Sequence, residues 1–145
     1  MENLFTNFYD LFVDSSLLND LIDQNLIVPL SLTWLIISLL GAAVFYWVMA
    51  VHSKRSKLNY WFLMLILTSL LVFVVHLSTC FSMENRQIPR NPTAQPDNMT
   101  YFFDQGGAVF FVYALEMFAL TAVLFFLFSI PLKFIGNANA RKTPF

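Results

Sequence analysis

The amino-acid sequence predicts an all-α integral membrane protein, with three transmembrane helices preceded by an N-terminal amphipathic interfacial helical segment. Three observations point there. Of 145 residues, 58% are apolar and only 12% are charged, whereas soluble domains carry about 25% charged residues. Mean hydropathy is +0.65. The apolar residues also gather into three windows, each long enough for the about 20 residues that a hydrocarbon core requires. A chain of this size cannot hide that much apolar surface from water, so lipid is the solvent that suits it.

The first window, Leu30–Val51, contains no charged residue, and Pro29 before it suits an opening helical turn. The second, Tyr60–Phe81, has His76 and Cys80 as its ionisable groups, and the third, Gly107–Leu132, has Glu116 as its one charge. All three are apolar on every face, as lipid-surrounded helices are. The strands of a membrane barrel would alternate apolar and polar residues in shorter stretches. Tyr46 and Trp47, Tyr60 and Trp61, and Tyr101 to Phe103 lie at the window ends, where aromatic rings collect at headgroup level. Pro131 cannot continue regular helix bonding and is expected to kink or close the third span.

Segment 1–29 holds Glu2, Asp10, Asp14, Asp20 and Asp23 and no Lys or Arg. A cleavable signal peptide begins with basic residues, so insertion is expected to use the first span itself. Leu4, Phe5, Phe8 and Phe12 recur at helical spacing, as do Leu17, Leu18, Leu21, Ile22 and Leu26. Asp14, Ser15 and Ser16 form a break and an N-cap between two short helices. Such an acidic amphipathic segment is expected to form an interfacial collar on the protein's own spans, or a docking face for another subunit.

Cytoplasmic loops are enriched in Lys and Arg. Segment 52–59 carries Lys54, Arg55 and Lys57, and tail 133–145 carries Lys133, Arg141 and Lys142, with no acid in either. Segment 82–106 mixes Glu84, Asp97 and Asp104 with Arg86 and Arg90. These distributions place the N-terminus outside and the C-terminus in the cytoplasm. Pro89, Pro92 and Pro96 give 82–106 an extended or turn character, and Asn98-Met99-Thr100 matches the glycosylation sequon on its outer side.

Few groups in the spans can carry chemistry. Glu116 lies roughly nine residues into span three, about 13 Å deep at 1.5 Å per residue. An ionisable group at a span centre costs about 2.5–3.5 kcal/mol on insertion scales, so it must be neutral, paired, or facing water or a partner. Tyr113, one turn away, is expected to donate to it, and Val112, Ala119, Leu120 and Val123 share its face. His76, at matched depth in span two, is the natural pairing candidate. An intramembrane His can also ligate haem, but one such His leaves the second ligand to come from elsewhere. Ser38, Gly41 and Ala42 form a small-residue patch for helix packing, as does Ala119 in span three. Phe110, Phe111, Phe118, Phe125, Phe126 and Phe128 read as lipid-facing bulk.

Several function classes are disfavoured. No metalloprotease, serine-hydrolase or P-loop motif occurs, and no paired-carboxylate or metal-ligand set is visible, so neither catalysis nor a cofactor or metal is expected. Net charge is −1, giving no field for nucleic acid. Three unlike spans argue against an inverted-repeat transporter. The expected partners are the lipid bilayer and other membrane subunits or further copies of this chain. The expected role is a small multi-pass subunit that anchors or scaffolds a larger membrane complex. A homo-oligomeric channel or proton conductor using Glu116 is the alternative.

Overall fold

A computed structural model describes residues 2–50, 52, 57–93, 99–135 and 141. Lys54, Arg55, Lys142 and the sequon asparagine Asn98 lie outside the described residues. Two short helices come first, α1 (Glu2–Tyr9) and α2 (Ser15–Asp23), followed by α3 (Ile27–Val44), α4 (Leu58–Glu84) and α5 (Gly107–Ile135). No strand forms among the described residues. Three helices are long and apolar enough to cross a membrane, at Ile27–Met49, Leu58–Glu84 and Gly107–Ile135. The protein is an all-α, multi-pass membrane protein.

Local chemistry sets the helix ends. The Asp14 side chain accepts from the Ser16 amide at 2.9 Å and from the Ser16 hydroxyl, capping α2. Those bonds hold its carboxyl below the usual carboxylate range. At the other end of α2, Asn25 adopts φ +54°. Its amide bonds Ile22 O at 2.9 Å and the Leu26 amide bonds Leu21 O at 2.8 Å. This paired closure around a left-handed residue stops the helix and lets α3 begin at Ile27. The first span thus starts three residues before Leu30, and Pro29 falls inside its first turn, where no intrahelical N–H bond is lost. Regular α-structure in span one ends at Val44, and Phe45–Met49 continues as a wider π turn, with Ala50 N–H on Phe45 O at 2.8 Å. In α5 the helix passes Pro131 and runs on to Ile135, so Pro131 does not close the span.

The chain forms two compact units. One comprises Met1–Ser31 with Phe73–Glu116, the other Leu32–Val72 with Met117–Phe145. In the second unit Ala42, Ala43, Phe45, Tyr46, Ala50, Trp61, Phe125 and Leu132 form a buried cluster. Trp61 meets Phe125 edge-on at 5.5 Å and donates its indole N–H to Ser129 Oγ at 3.1 Å. Trp61 and Tyr46 are therefore core residues rather than headgroup anchors. A polar tip inside an apolar unit needs a partner, and the Ser129 hydroxyl draws the indole inward. Trp47 and Tyr60 stay exposed. The phenylalanines of span three divide as well. Phe110 and Phe125 are fully buried, while Phe111 and Phe126 are exposed, so bulk facing lipid describes only part of them.

Within the same unit Gly41 faces Thr68. A Cβ at Gly41 would overlap Thr68 Oγ1 and sit 2.7 Å from Cγ2. Small residues permit close helix approach in lipid, and here the branched Thr68 fills the space that glycine leaves. Ser38 and Ala42, the other members of the predicted packing patch, are also buried. Ala119 is exposed, so helix packing within this chain does not use it. Gly41→Ala is expected to lower stability by about 1–3 kcal/mol through overpacking, with Thr68→Ala in the same chain restoring most of the loss. Thermal unfolding in mild detergent reads both, and an unaffected single variant would contradict this contact.

Candidate functional site

Two polar sites emerge, both in the first unit, and they differ in how completely they are closed. The first centres on Asp20. Composition placed this residue among the acids of an amphipathic face, but it is fully buried. Leu17, Leu18 and Leu21 are buried with it, so Asp20 lies on the buried side of α2. Its carboxylate is met from the α4–α5 connection. Oδ2 accepts the Phe103 amide at 2.8 Å and Gln105 Nε2 at 2.6 Å. Oδ1 forms an ion pair with Arg90 Nη2 at 2.6 Å, without hydrogen-bond alignment.

Arg90 is held from several sides. Its Nε donates to Tyr101 O at 3.0 Å, and its amide donates to Thr100 O at 2.9 Å. The guanidinium stacks 4.9 Å from the Phe102 ring centre and lies 3.7 Å from Asp104 Oδ1. Phe102 N–H bonds Ile88 O at 3.0 Å, and Pro89 bridges Tyr101 in antiparallel fashion. The connection therefore folds back on itself, which its prolines alone did not announce. Phe103 sits at φ +59°, a costly conformation for a non-glycine residue. The bond from its amide to Asp20 holds it there. A fully buried carboxylate is tolerated only with several polar partners, and here two hydrogen bonds and one ion pair meet it.

The second site surrounds Glu116 in α5. Its side chain is half-buried, and among the described residues no hydrogen bond or ion pair closes on it. The bond expected from Tyr113 does not form, nor does a pair with His76. Tyr113 turns inward instead. It is 1% exposed, meets the buried His76 edge-on at 5.6 Å, and lies 6.3 Å from the Tyr9 ring. The Tyr9 and Tyr113 hydroxyls are buried beside each other, without a well-aligned hydrogen bond among the described residues. Burial pushes the Tyr9 phenol above its ordinary value, partly offset by the nearby Ser31 and Tyr113 hydroxyls. Glu116 and Tyr113 share the wall of an open groove of about 250 Å³ with Asp14, Ala108, Val109 and Val112.

Five span hydroxyls are turned back on their own helices. Ser31, Ser38, Thr79, Thr121 and Ser129 each donate to the carbonyl four residues earlier, at 2.6–2.8 Å. Ser69 Oγ is buried without a hydrogen bond. No group of three or more His, Cys, Asp or Glu residues able to hold a metal exists among the described residues. Of the basic residues expected to set topology, Lys57 and Arg141 are exposed and Lys133 is half-buried.

Removing Arg90 strands the buried Asp20 carboxylate. Breaking a buried pair costs about 3–5 kcal/mol, and the Arg90 side chain is 32% exposed, so Arg90→Gln is expected to cost about 2–3 kcal/mol. Asp20→Asn should cost less, and the double variant less than the sum of the two. Strict additivity in denaturation would show that the two groups are not coupled. No family model, curated protein or solved structure matches this chain.

Proposed function

We propose that this chain is a non-catalytic subunit that anchors or scaffolds a larger assembly inside a membrane, with its N-terminus outside and its C-terminus in the cytoplasm. One observation carries the reading. Glu116 stands on the flank of the third span with no hydrogen bond or ion pair from the described residues of its own chain. Lipid tails offer no donor, and an ionisable group at a span centre costs about 2.5–3.5 kcal/mol. A polar group on a neighbouring subunit relieves that cost and holds the two chains in register.

Two further features favour assembly over conduction. Five span hydroxyls are engaged by their own helix carbonyls, so they do not line a continuous polar file, which a pore requires. In α4 only 22% of the most apolar window is buried within the chain, which leaves broad flanks for lipid and partner helices. The orientation rests on the basic residues of 52–59 and 133–145.

Extraction in a mild detergent is expected to yield a particle larger than the 16.7 kDa chain, containing other membrane proteins in fixed ratio. A clean monomer from native membranes would overturn the proposal. In liposomes, proton flux should be the same for wild type and Glu116→Gln. A conductance that depends on Glu116 would establish the channel reading instead.

A further inference from the structure

We propose that the groove beside Glu116 receives a Lys or Arg side chain carried by a transmembrane helix of a different protein. This rests on the scaffold reading and names the chemistry of the partner. The groove runs along one flank of α5. Ala108, Val112 and Glu116 recur at four-residue intervals, with Val109 beside them. Ala108 and Val112 are exposed. Ala108 is small, and the side chains at that spacing border a furrow in which a second helix can lie.

The polar groups of the groove are acceptors. Asp14 lines it, with its carboxyl already bonded by Ser16. Glu116 lines it too, without a partner among the described residues. Tyr113 lines the wall with its ring turned inward against His76 and Tyr9. A carboxyl left open on such a groove calls for a donor from outside. A cation with several N–H groups answers it, and the Asp14 carboxyl on the same groove adds to the attraction.

Depth and charge select the occupant. Ala108 and Glu116 are eight residues apart, about 12 Å at 1.5 Å per residue. A lipid amine stays at headgroup level and does not reach Glu116. A second copy of this chain does not supply the cation either. Its eight Lys and Arg all lie outside 30–51, 60–81 and 107–132. The donor therefore comes from another chain, which bears its basic residue at matching depth, with its own insertion cost offset by Glu116.

The test reconstitutes the full chain in phosphatidylcholine vesicles with synthetic Leu/Ala transmembrane peptides. One peptide carries a single Lys nine residues from its end, and its control has Leu there. Energy transfer between labels reads the association. The Lys peptide is expected to bind about tenfold more tightly, as one interhelical hydrogen bond in lipid provides. Glu116→Gln should abolish that preference. Val112→Phe, which fills the groove and keeps the carboxyl, should abolish it too. Leu70→Phe, on an exposed part of α4, should leave it intact. Equal binding of the two peptides to wild type, or a preference that survives Glu116→Gln, overturns the inference. The scaffold reading is judged separately, by the size of the native particle. A large particle together with indifferent peptides would sink the groove alone.

Discussion

Hydrocarbon offers no hydrogen bond, and that constraint orders the rest of this molecule. Each backbone amide in a span must be satisfied within its own helix, so the three spans are continuous helical structure, including the wider turn at Phe45–Met49. Five side-chain hydroxyls follow the same rule. Ser31, Ser38, Thr79, Thr121 and Ser129 return to the carbonyl one turn back. Ser129 does so while also accepting from Trp61, joining α4 to α5 through a polar link inside an apolar cluster. Without water as a competitor, such a link gives direction that apolar packing in lipid does not.

Asp20 and Glu116 show two answers to the cost of burying a carboxyl. Asp20 lies in the short helix before the first span and is surrounded by donors from the α4–α5 connection. Three segments of sequence, around positions 20, 90 and 103–105, meet at one carboxylate. The knot fixes a connection rich in proline that has little apolar surface of its own. Glu116 lies within a span and meets no comparable set of donors. One acid is satisfied by its own chain, and the other is left to the surroundings of α5. That contrast is why the functional reading turns on Glu116.

The fold class was legible because span length and apolarity are properties of local sequence. The cap at Asp14 was legible for the same reason, since its bonds reach only two residues on. Long-range choices were not. Nothing local tells whether Trp61 turns toward headgroups or toward Ser129, 68 residues away. Tyr113 was read as a donor to Glu116 because both share a helix, yet its ring belongs with His76 and Tyr9. Asp20 left no signal either, since helical spacing sets it apart from the apolar residues of α2. Its partners lie 70 or more residues later, and no local pattern marks them. The early start of α3 followed from the left-handed Asn25, a conformation that asparagine permits but does not announce.

The central claim is that three apolar helices thread the bilayer, which places the chain's two ends on opposite faces. Single cysteines introduced near each end of a Cys80→Ser chain, probed with a membrane-impermeant reagent in sealed, oriented vesicles, test it most directly. The account predicts that one end labels in intact vesicles and the other labels only after permeabilisation. Labelling of both ends from the same side would contradict it.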